Sequence, residues 1–282
     1  MLAPVAVYFI VFSFYPLGLG VYTSFFEVRI LGDSTFIGLD NYAAVVSHPF
    51  YRQALANTLV VNFSKFALQF IFGLLIALLL NEVKSNITKS TIQTATYLPY
   101  LLSWSVVGAL WINILSPTGM LNGFMRLILG ESHRMITFMA EPSMARIIFI
   151  LTGAWKDAGY TAVLFLAAIV SIDPSIYEAA AIDGASRFQQ IRKIIIPNLG
   201  PIMKTIVLLS MMGIMRNFDQ VFVMTNAVIN PRVRNLAFFI FNEGLAQLRI
   251  GPAVAAATLI LLATLIITIV VRKLVKYDQT FN

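Results

Sequence analysis

No cysteine occurs anywhere in the 282 residues, so disulfides, thiol nucleophiles and Cys-ligated metal sites are excluded. Histidine is scarce too. His48 and His133 fall in polar connections far apart in sequence and offer no metal-binding or acid–base constellation. No glycine-rich loop followed by Lys-Ser or Lys-Thr is present, so the chain has no phosphate loop with which to hydrolyse ATP itself. No nucleophile–base pair is readable, which disfavours a membrane enzyme. Charge is also thin: 12% of residues are charged and 59% hydrophobic, against about 25% and 45–50% in soluble domains. The net charge of +7 could indicate nucleic acid, but scattered basic residues in so apolar a chain more often mark membrane topology. The composition is that of an all-α polytopic membrane protein, with 1–282 forming one transmembrane domain.

What is present is a series of apolar runs near the roughly 20 residues that a spanning helix needs. Six are readable, at about 2–25, 57–80, 94–115, 144–170, 199–223 and 252–274. The first has no basic stretch before it and is long for a signal peptide. Tyr15-Pro16 within it predicts a kink, and Tyr97-Leu98-Pro99-Tyr100 predicts another in the third. Residues 27–56 read as a turn and a short helix leading to helix two, with Asn57 or Thr58 as its cap. Residues 81–93 form a short connection, 116–143 a longer one with little periodicity, and 224–251 another.

Orientation follows from basic residues. Connections read as inner carry Lys84, Lys89, Arg187, Arg192, Lys193, Lys204, Arg272, Lys273 and Lys276; outer ones carry Arg29, Arg52, Arg126, Arg134, Arg232, Arg234 and Arg249. Nine against seven is a small bias, but short loops dominate the rule, and both 81–93 and the C-terminal end vote for inside. Both termini are therefore expected in the cytoplasm.

The most informative stretch interrupts the apolar pattern between the fourth and fifth runs, at about 171–198. Tyr177 to Pro197 reads YEAAAIDGASRFQQIRKIIIP and carries too many charges to sit in lipid. Pro174 can open a helix after Asp173 as cap, and Glu178-Ala179-Ala180-Ala181 is strongly helix-forming. Gly184 can supply a left-handed turn. Ser186 with Gln189 makes a capping box for a second helix, and Phe188, Ile191, Ile194 and Ile195 fall on one face of it. Pro197 is expected to stop that helix.

The spacing Glu178-Ala179-Ala180, three residues, Gly184, nine residues, Ile194, one residue, Ile196-Pro197 resembles the EAA loop of ABC importer permeases. Ile196 stands where the family usually has Leu. The run Asn217-Phe218-Asp219-Gln220-Val221-Phe222-Val223-Met224 resembles helix five of the sugar-type permeases, closest to the polysaccharide and oligosaccharide branch. Ile37-Gly38-Leu39-Asp40-Asn41-Tyr42 with Ala56-Asn57-Thr58-Leu59 resembles the segment before their shared core. The family's common Gly-Gly-Pro after helix five is replaced by Asn226-Ala227-Val228, which departs from maltose-like permeases. Its usual basic N-terminal tail is missing, so a truncated chain or a different start is expected.

The resemblance implies the type I importer permease fold in a bacterial inner membrane. It implies a second, homologous permease, two ATPase subunits and an extracytoplasmic solute-binding protein. ATP and Mg²⁺ would be held by the ATPases, with no cofactor or metal in this chain. Glu178, Ala179, Ala180, Asp183, Gly184, Ile194 and Pro197 would form the loop that docks on the ATPase. Glu178 would make the charged contact and the small alanines would permit close approach.

Ionisable groups within apolar runs are costly and point to function or to internal pairing. Lys65, Arg146, Lys156, Asp157, Arg216 and Asp219 are such groups; Lys65 or Arg216 can pair with Asp157 or Asp219, and Arg146 can snorkel. Trp155, Tyr160, Asn217 and Gln220 lie near them in sequence, and aromatic faces beside amides suit sugar rings. Lys65, Trp155, Lys156, Tyr160, Arg216, Asn217, Asp219 and Gln220 are thus the solute-pathway candidates. Four cations against two anions in these runs favour an acidic oligo- or polysaccharide. The rival readings are an ABC permease for another solute, such as a phosphorylated polyol or amino acid, and an ion-coupled secondary transporter. The latter predicts inverted repeats and broken helices around a carboxylate, and no repeat is found in the sequence.

Overall fold

A computed structural model of the chain describes residues 3–29, 31–130 and 134–275. His133 and Lys276 lie outside the described residues. The first helix, α1 (Ala3–Thr23), buries none of its residues. The kink expected at Tyr15-Pro16 takes the form of a π-turn at Ile10–Phe14. Proline lacks an N–H and crowds the carbonyl one turn back, and a widened turn relieves both problems. A small antiparallel pair follows, β1 (Phe26–Glu27) with β2 (Thr35–Phe36), Phe26 opposite Phe36. Then comes α2 (Asp40–Ser47).

The second span is longer than the run 57–80 predicted. Helix α3 (Pro49–Glu82) has 34 residues, about 51 Å at 1.5 Å per residue. His48 caps it, its Nδ1 accepting from the Phe50 amide at 3.2 Å, with Pro49 in the first turn. Asn57 and Thr58, expected as caps, are instead buried two turns inside. The connection expected at 81–93 shrinks to 83–85, because Ser85 caps α4 (Asn86–Leu101) directly.

The third span is broken rather than kinked. Helices α4 and α5 (Trp104–Ile114) meet at 102°. Pro99 weakens the last turn of α4, and Ser103 caps α5. Residues 116–143, expected to lack periodicity, hold an amphipathic helix α6 (Met120–Leu129). Buried Asn122 fixes it, donating to the Ser116 and Ile136 carbonyls and accepting from the Ile136 amide, each at 2.9 Å.

Helix α7 (Pro142–Val170) is the most buried span and packs on both α3 and α4. At Gly159 an added Cβ would overlap the Thr96 carbonyl of α4, so only glycine admits this backbone-to-backbone approach. Two short helices then leave the apolar region: α8 (Pro174–Ile182) and α9 (Arg187–Asn198). Pro197 does not stop α9. A π-turn at Ile191–Ile195 precedes it, as at Pro16, and the chain bends by 57° at Leu199 into α10 (Gly200–Gly213). Phe188 is exposed, while Ile195 of the same helix is buried. The fifth span ends ten residues before the predicted 223. Helices α11 (Asp219–Met224), α12 (Asn230–Val233), α13 (Leu236–Ala246) and α14 (Ile250–Leu274) complete the described chain. Among the described residues four helices are long and apolar enough to span alone, and counting each of the two bent pairs as one span brings the number to six.

Candidate functional site

Helices α3, α4, α7 and α10 border an open cavity of about 330 Å³ that carries several polar side chains. Asn62, Lys65 and Gln69 recur at helical spacing on α3 and line it together with Asp157 and Tyr160 of α7. Lys65 Nζ contacts Asp157 Oδ2 at 2.9 Å. Gln69 donates to Thr161 Oγ1 at 3.0 Å. Tyr160 stacks on Tyr100, ring centres 4.6 Å apart, so an aromatic face borders the ion pair.

The end of α4, at its break to α5, and the end of α10 frame this cavity. Lys156 is buried and donates from Nζ to the Tyr100 carbonyl at 2.8 Å, capping the end of α4. Its ammonium also lies 5.4 and 5.7 Å from the ring centres of Tyr100 and Trp104. In the break between α10 and α11, the Ile214 carbonyl accepts from Asn62 and the Asn217 carbonyl from Asn235. Carbonyls freed from a helix at membrane depth need such partners. Asn217 Nδ2 donates to Asn62 Oδ1 and Gln220 Oε1, both at 3.1 Å. Gln220 is fully buried and donates to the Phe149 carbonyl at 2.7 Å and Thr152 Oγ1 at 3.1 Å.

Of the sequence-predicted pathway residues, Lys65, Tyr160 and Asn217 line the cavity. Lys156 and Gln220 pack behind it as backbone partners. Trp155 is partly exposed and meets Trp111 edge-on at 5.4 Å. Arg216 and Asp219 are exposed and form no ion pair among the described residues, so of the expected pairings only Lys65–Asp157 forms. Arg146 does not snorkel: it donates to the Arg232 carbonyl at 3.2 Å and to Asn57 Oδ1 at 2.9 Å. Asn57 itself donates to the Pro231 and Arg234 carbonyls, tying α3 to residues 231–234. Sequence reasoning missed Asn62, Gln69 and Tyr100. The first two carried a signal, being a polar stripe with Lys65 in an otherwise apolar run.

The polar interruption folds locally as its sequence dictates. Asp173 caps α8 by accepting from the Ser175 amide at 2.9 Å, and this bonding holds its carboxyl below the usual aspartate range. Gly184 has φ +74°. The Ala185 amide donates to Ala180 O at 2.9 Å and the Gly184 amide to Ala181 O at 3.1 Å, a Schellman turn. Ser186 and Gln189 form the reciprocal capping box of α9. Ala180, Asp183, Gly184 and Ile194 line one cleft between the two helices; Glu178 and Ala179 are exposed on α8, and Pro197 lies a turn beyond. The assembly is tied to the end of α3. Arg187 Nε lies 3.8 Å from Glu82 Oε2, and the buried Tyr177 hydroxyl has no hydrogen-bond partner among the described residues. Burial and, second to it, the Glu82 carboxylate push that phenol above its ordinary value.

The chain thus combines a bundle of long helices, a cavity where α4 and α10 end, and a capped double-helix loop. Residues 69–276 match the family described as the binding-protein-dependent transport system inner membrane component. The chain belongs to this family. The permease fold read from the EAA spacing is thereby supported, and the chain is a translocating, inner-membrane component of a sugar-type ABC importer. It is 29% identical over 282 residues to the polygalacturonan/rhamnogalacturonan transport system permease protein YteP of Bacillus subtilis, spanning 98% of this chain and 86% of that one. A crystal structure of a bacterial ABC transporter involved in the import of the acidic polysaccharide alginate superposes with a TM-score of 0.89 at 27% identity. It covers 98% of this permease and 93% of its own chain. The bacterial alginate transporter in complex with an alginate pentasaccharide-bound periplasmic protein gives 0.87 at 27% identity, covering 97% and 91%.

Proposed function

We propose that this permease carries an acidic oligosaccharide into the cytoplasm by alternating access, through the cavity that Lys65, Asp157, Gln69, Tyr100 and Tyr160 line. The single observation behind this reading is that cavity: a stacked tyrosine face beside an ion pair and amides, set between spanning helices. Sugar rings offer apolar faces and many hydroxyls, and this lining complements both. Relatives named for polygalacturonan and alginate support the acidic class.

In this reading 1–282 is one translocating domain with both termini in the cytoplasm. A loaded extracytoplasmic binding protein docks on the outer connections. A second, homologous permease completes the pathway, and two ATPase subunits bind ATP and Mg²⁺. The loop of α8 and α9 docks on one ATPase through Glu178, Ala179, Ala180, Asp183, Gly184, Ile194 and Pro197. Its capped, rigid turns suit transmission of force to α7 and α10.

The test is ATP hydrolysis by the reconstituted complex with its binding protein, supplied with neutral and uronic-acid oligosaccharides. Stimulation by acidic sugars is the expected result. A second reading, a neutral oligosaccharide, is favoured by the 2.9 Å pairing of Lys65 with Asp157, which neutralises the cavity's own cation. Stimulation by neutral sugars alone selects it. If no ATPase co-purifies, the coupling assignment fails.

A further inference from the structure

The connections read as outer hold seven basic residues, and all seven are arginine. Topology alone would not select arginine over lysine, nor place so many cations outside. Arginine is distinguished by a planar fork that matches a carboxylate bidentately and by its ability to stack on rings. One of the seven has the surroundings such a role needs.

Arg234, just after α12, lines a cavity of about 240 Å³ between the start of α3 and the segment 227–243. Its guanidinium carbon sits 4.1 Å from the ring centre of Phe50. Its Nε donates to Asn230 Oδ1 at 2.7 Å. Its Nη groups have no acceptor and its charge no carboxylate among the described residues. Burial works against that charge. The acid in the same cavity, Glu243, is buried and already paired with Arg249 at 2.9 Å. The cavity therefore carries one uncompensated positive charge. Its remaining lining includes the amides of Asn230 and Asn242 and the rings of Phe50 and Phe238. The backbone is held there from behind, because Asn57 accepts from Arg146 and donates to the Arg234 carbonyl at 2.9 Å.

A partly buried guanidinium over an aromatic ring, lining a cavity and with its Nη donors unpaired among the described residues, has the chemistry to receive a carboxylate. We infer that Arg234, Phe50, Asn230 and Asn242 form an outer subsite that takes the carboxylate of one uronic-acid unit before the sugar reaches the cavity at Lys65. The volume is below the ~300–1,000 Å³ of pockets that hold drug-sized ligands, which suits a single sugar unit rather than a chain. The inference rests on the orientation and the acidic-sugar reading given above. A carboxylate could also come from an acidic side chain of the docking binding protein; the ring beneath the guanidinium and the flanking amides favour the sugar, whose ring and hydroxyls they complement.

The test uses the intact complex with its co-purifying subunits, in nanodiscs of zwitterionic lipid, without binding protein. Direct binding of tri-galacturonate and of a neutral galactose trisaccharide is measured by calorimetry. Arg234→Gln should weaken the acidic sugar by roughly ten- to a hundredfold, the range for a charge-assisted hydrogen bond. Arg234→Lys should fall between, since it keeps the charge and loses the fork. The neutral sugar and the docking of solute-free binding protein should be unchanged. Equal tri-galacturonate affinity in native and Arg234→Gln complexes overturns the inference. So does lost docking with unaltered sugar binding, which would assign Arg234 to the binding protein. If Arg234→Gln fails to assemble, Phe50→Leu keeps the guanidinium and removes the ring; it should weaken the acidic sugar several-fold, and an unchanged affinity is again fatal. In a parallel assay with the binding protein added, hydrolysis stimulated by acidic sugar in both native and Arg234→Gln complexes, with equal direct binding, would sink this subsite and leave the importer reading intact. No stimulation of the native complex would sink the reading itself.

Discussion

Replacing Asp157 with asparagine isolates the charge of Lys65 and tests whether the ion pair holds the cavity together. The two side chains are 16% and 21% exposed and 2.9 Å apart. With an effective dielectric constant near 20, their attraction is about 6 kcal/mol before desolvation is subtracted. Desolvation offsets much of that, but a lysine left unpaired retains its own penalty, and removing one partner of a buried pair costs about 3–5 kcal/mol. The cavity is open enough for water to reach Lys65, which places Asp157→Asn near about 3 kcal/mol, the low end of that range. The double variant Lys65→Gln with Asp157→Asn removes both charges and keeps hydrogen-bonding groups. It should return to within about 1 kcal/mol of the native protein, since neither site then holds an uncompensated charge. The measurement is thermal unfolding in detergent for native, both single variants and the double variant, read as a thermodynamic cycle. A coupling below about 0.5 kcal/mol, with Asp157→Asn no weaker than the double variant, would refute the argument, because independent sites add within that margin.

Gly159→Ala should cost at least about 1–3 kcal/mol, since the added Cβ meets α4 backbone that has no rotamer with which to yield; normal accumulation and melting of this variant would contradict the close approach. Gly184→Asp or Glu178→Arg should leave the permease inserted and assembled while abolishing ATP-dependent uptake, and normal uptake by both would remove the coupling assignment. Asn57→Ala strands the Pro231 and Arg234 carbonyls and one Arg146 donor, worth about 1–3 kcal/mol for buried groups left unmade; limited proteolysis should then cut residues 225–249 faster, and an unaltered pattern would argue against the tether. Glu82→Gln removes the carboxylate near Arg187 and Tyr177, and should lower the ratio of solute moved to ATP consumed without changing membrane abundance.

Where information was local in sequence, the sequence carried it. The double-helix loop is an example: Asp173 reaches two residues, Ser186 and Gln189 three, and Gly184 closes its turn within six. Every stabilising contact of its caps lies within the stretch that was read, so its geometry followed from residue spacing. The number of spans was also legible, because bilayer thickness fixes the length of an apolar run. What hydropathy could not locate was where spans break. Pro99 marked one weak turn, but the break needs Lys156 on the Tyr100 carbonyl, 56 residues away. The break before α11 has no proline; there Asn62, 152 residues away, donates to the freed Ile214 carbonyl. Asn57 looked like a cap because caps and tethers use the same amide, and only the folded chain decides which carbonyl it meets. The pairing of Lys65 with Asp157, and not with Asp219, was likewise settled by the packing of α3 on α7. Sequence by itself determined the membrane class, the geometry of the double-helix loop and the set of charges that had to be explained. Tertiary structure decided their partners, since a polar group in an apolar medium takes whichever partner packing brings within hydrogen-bond reach.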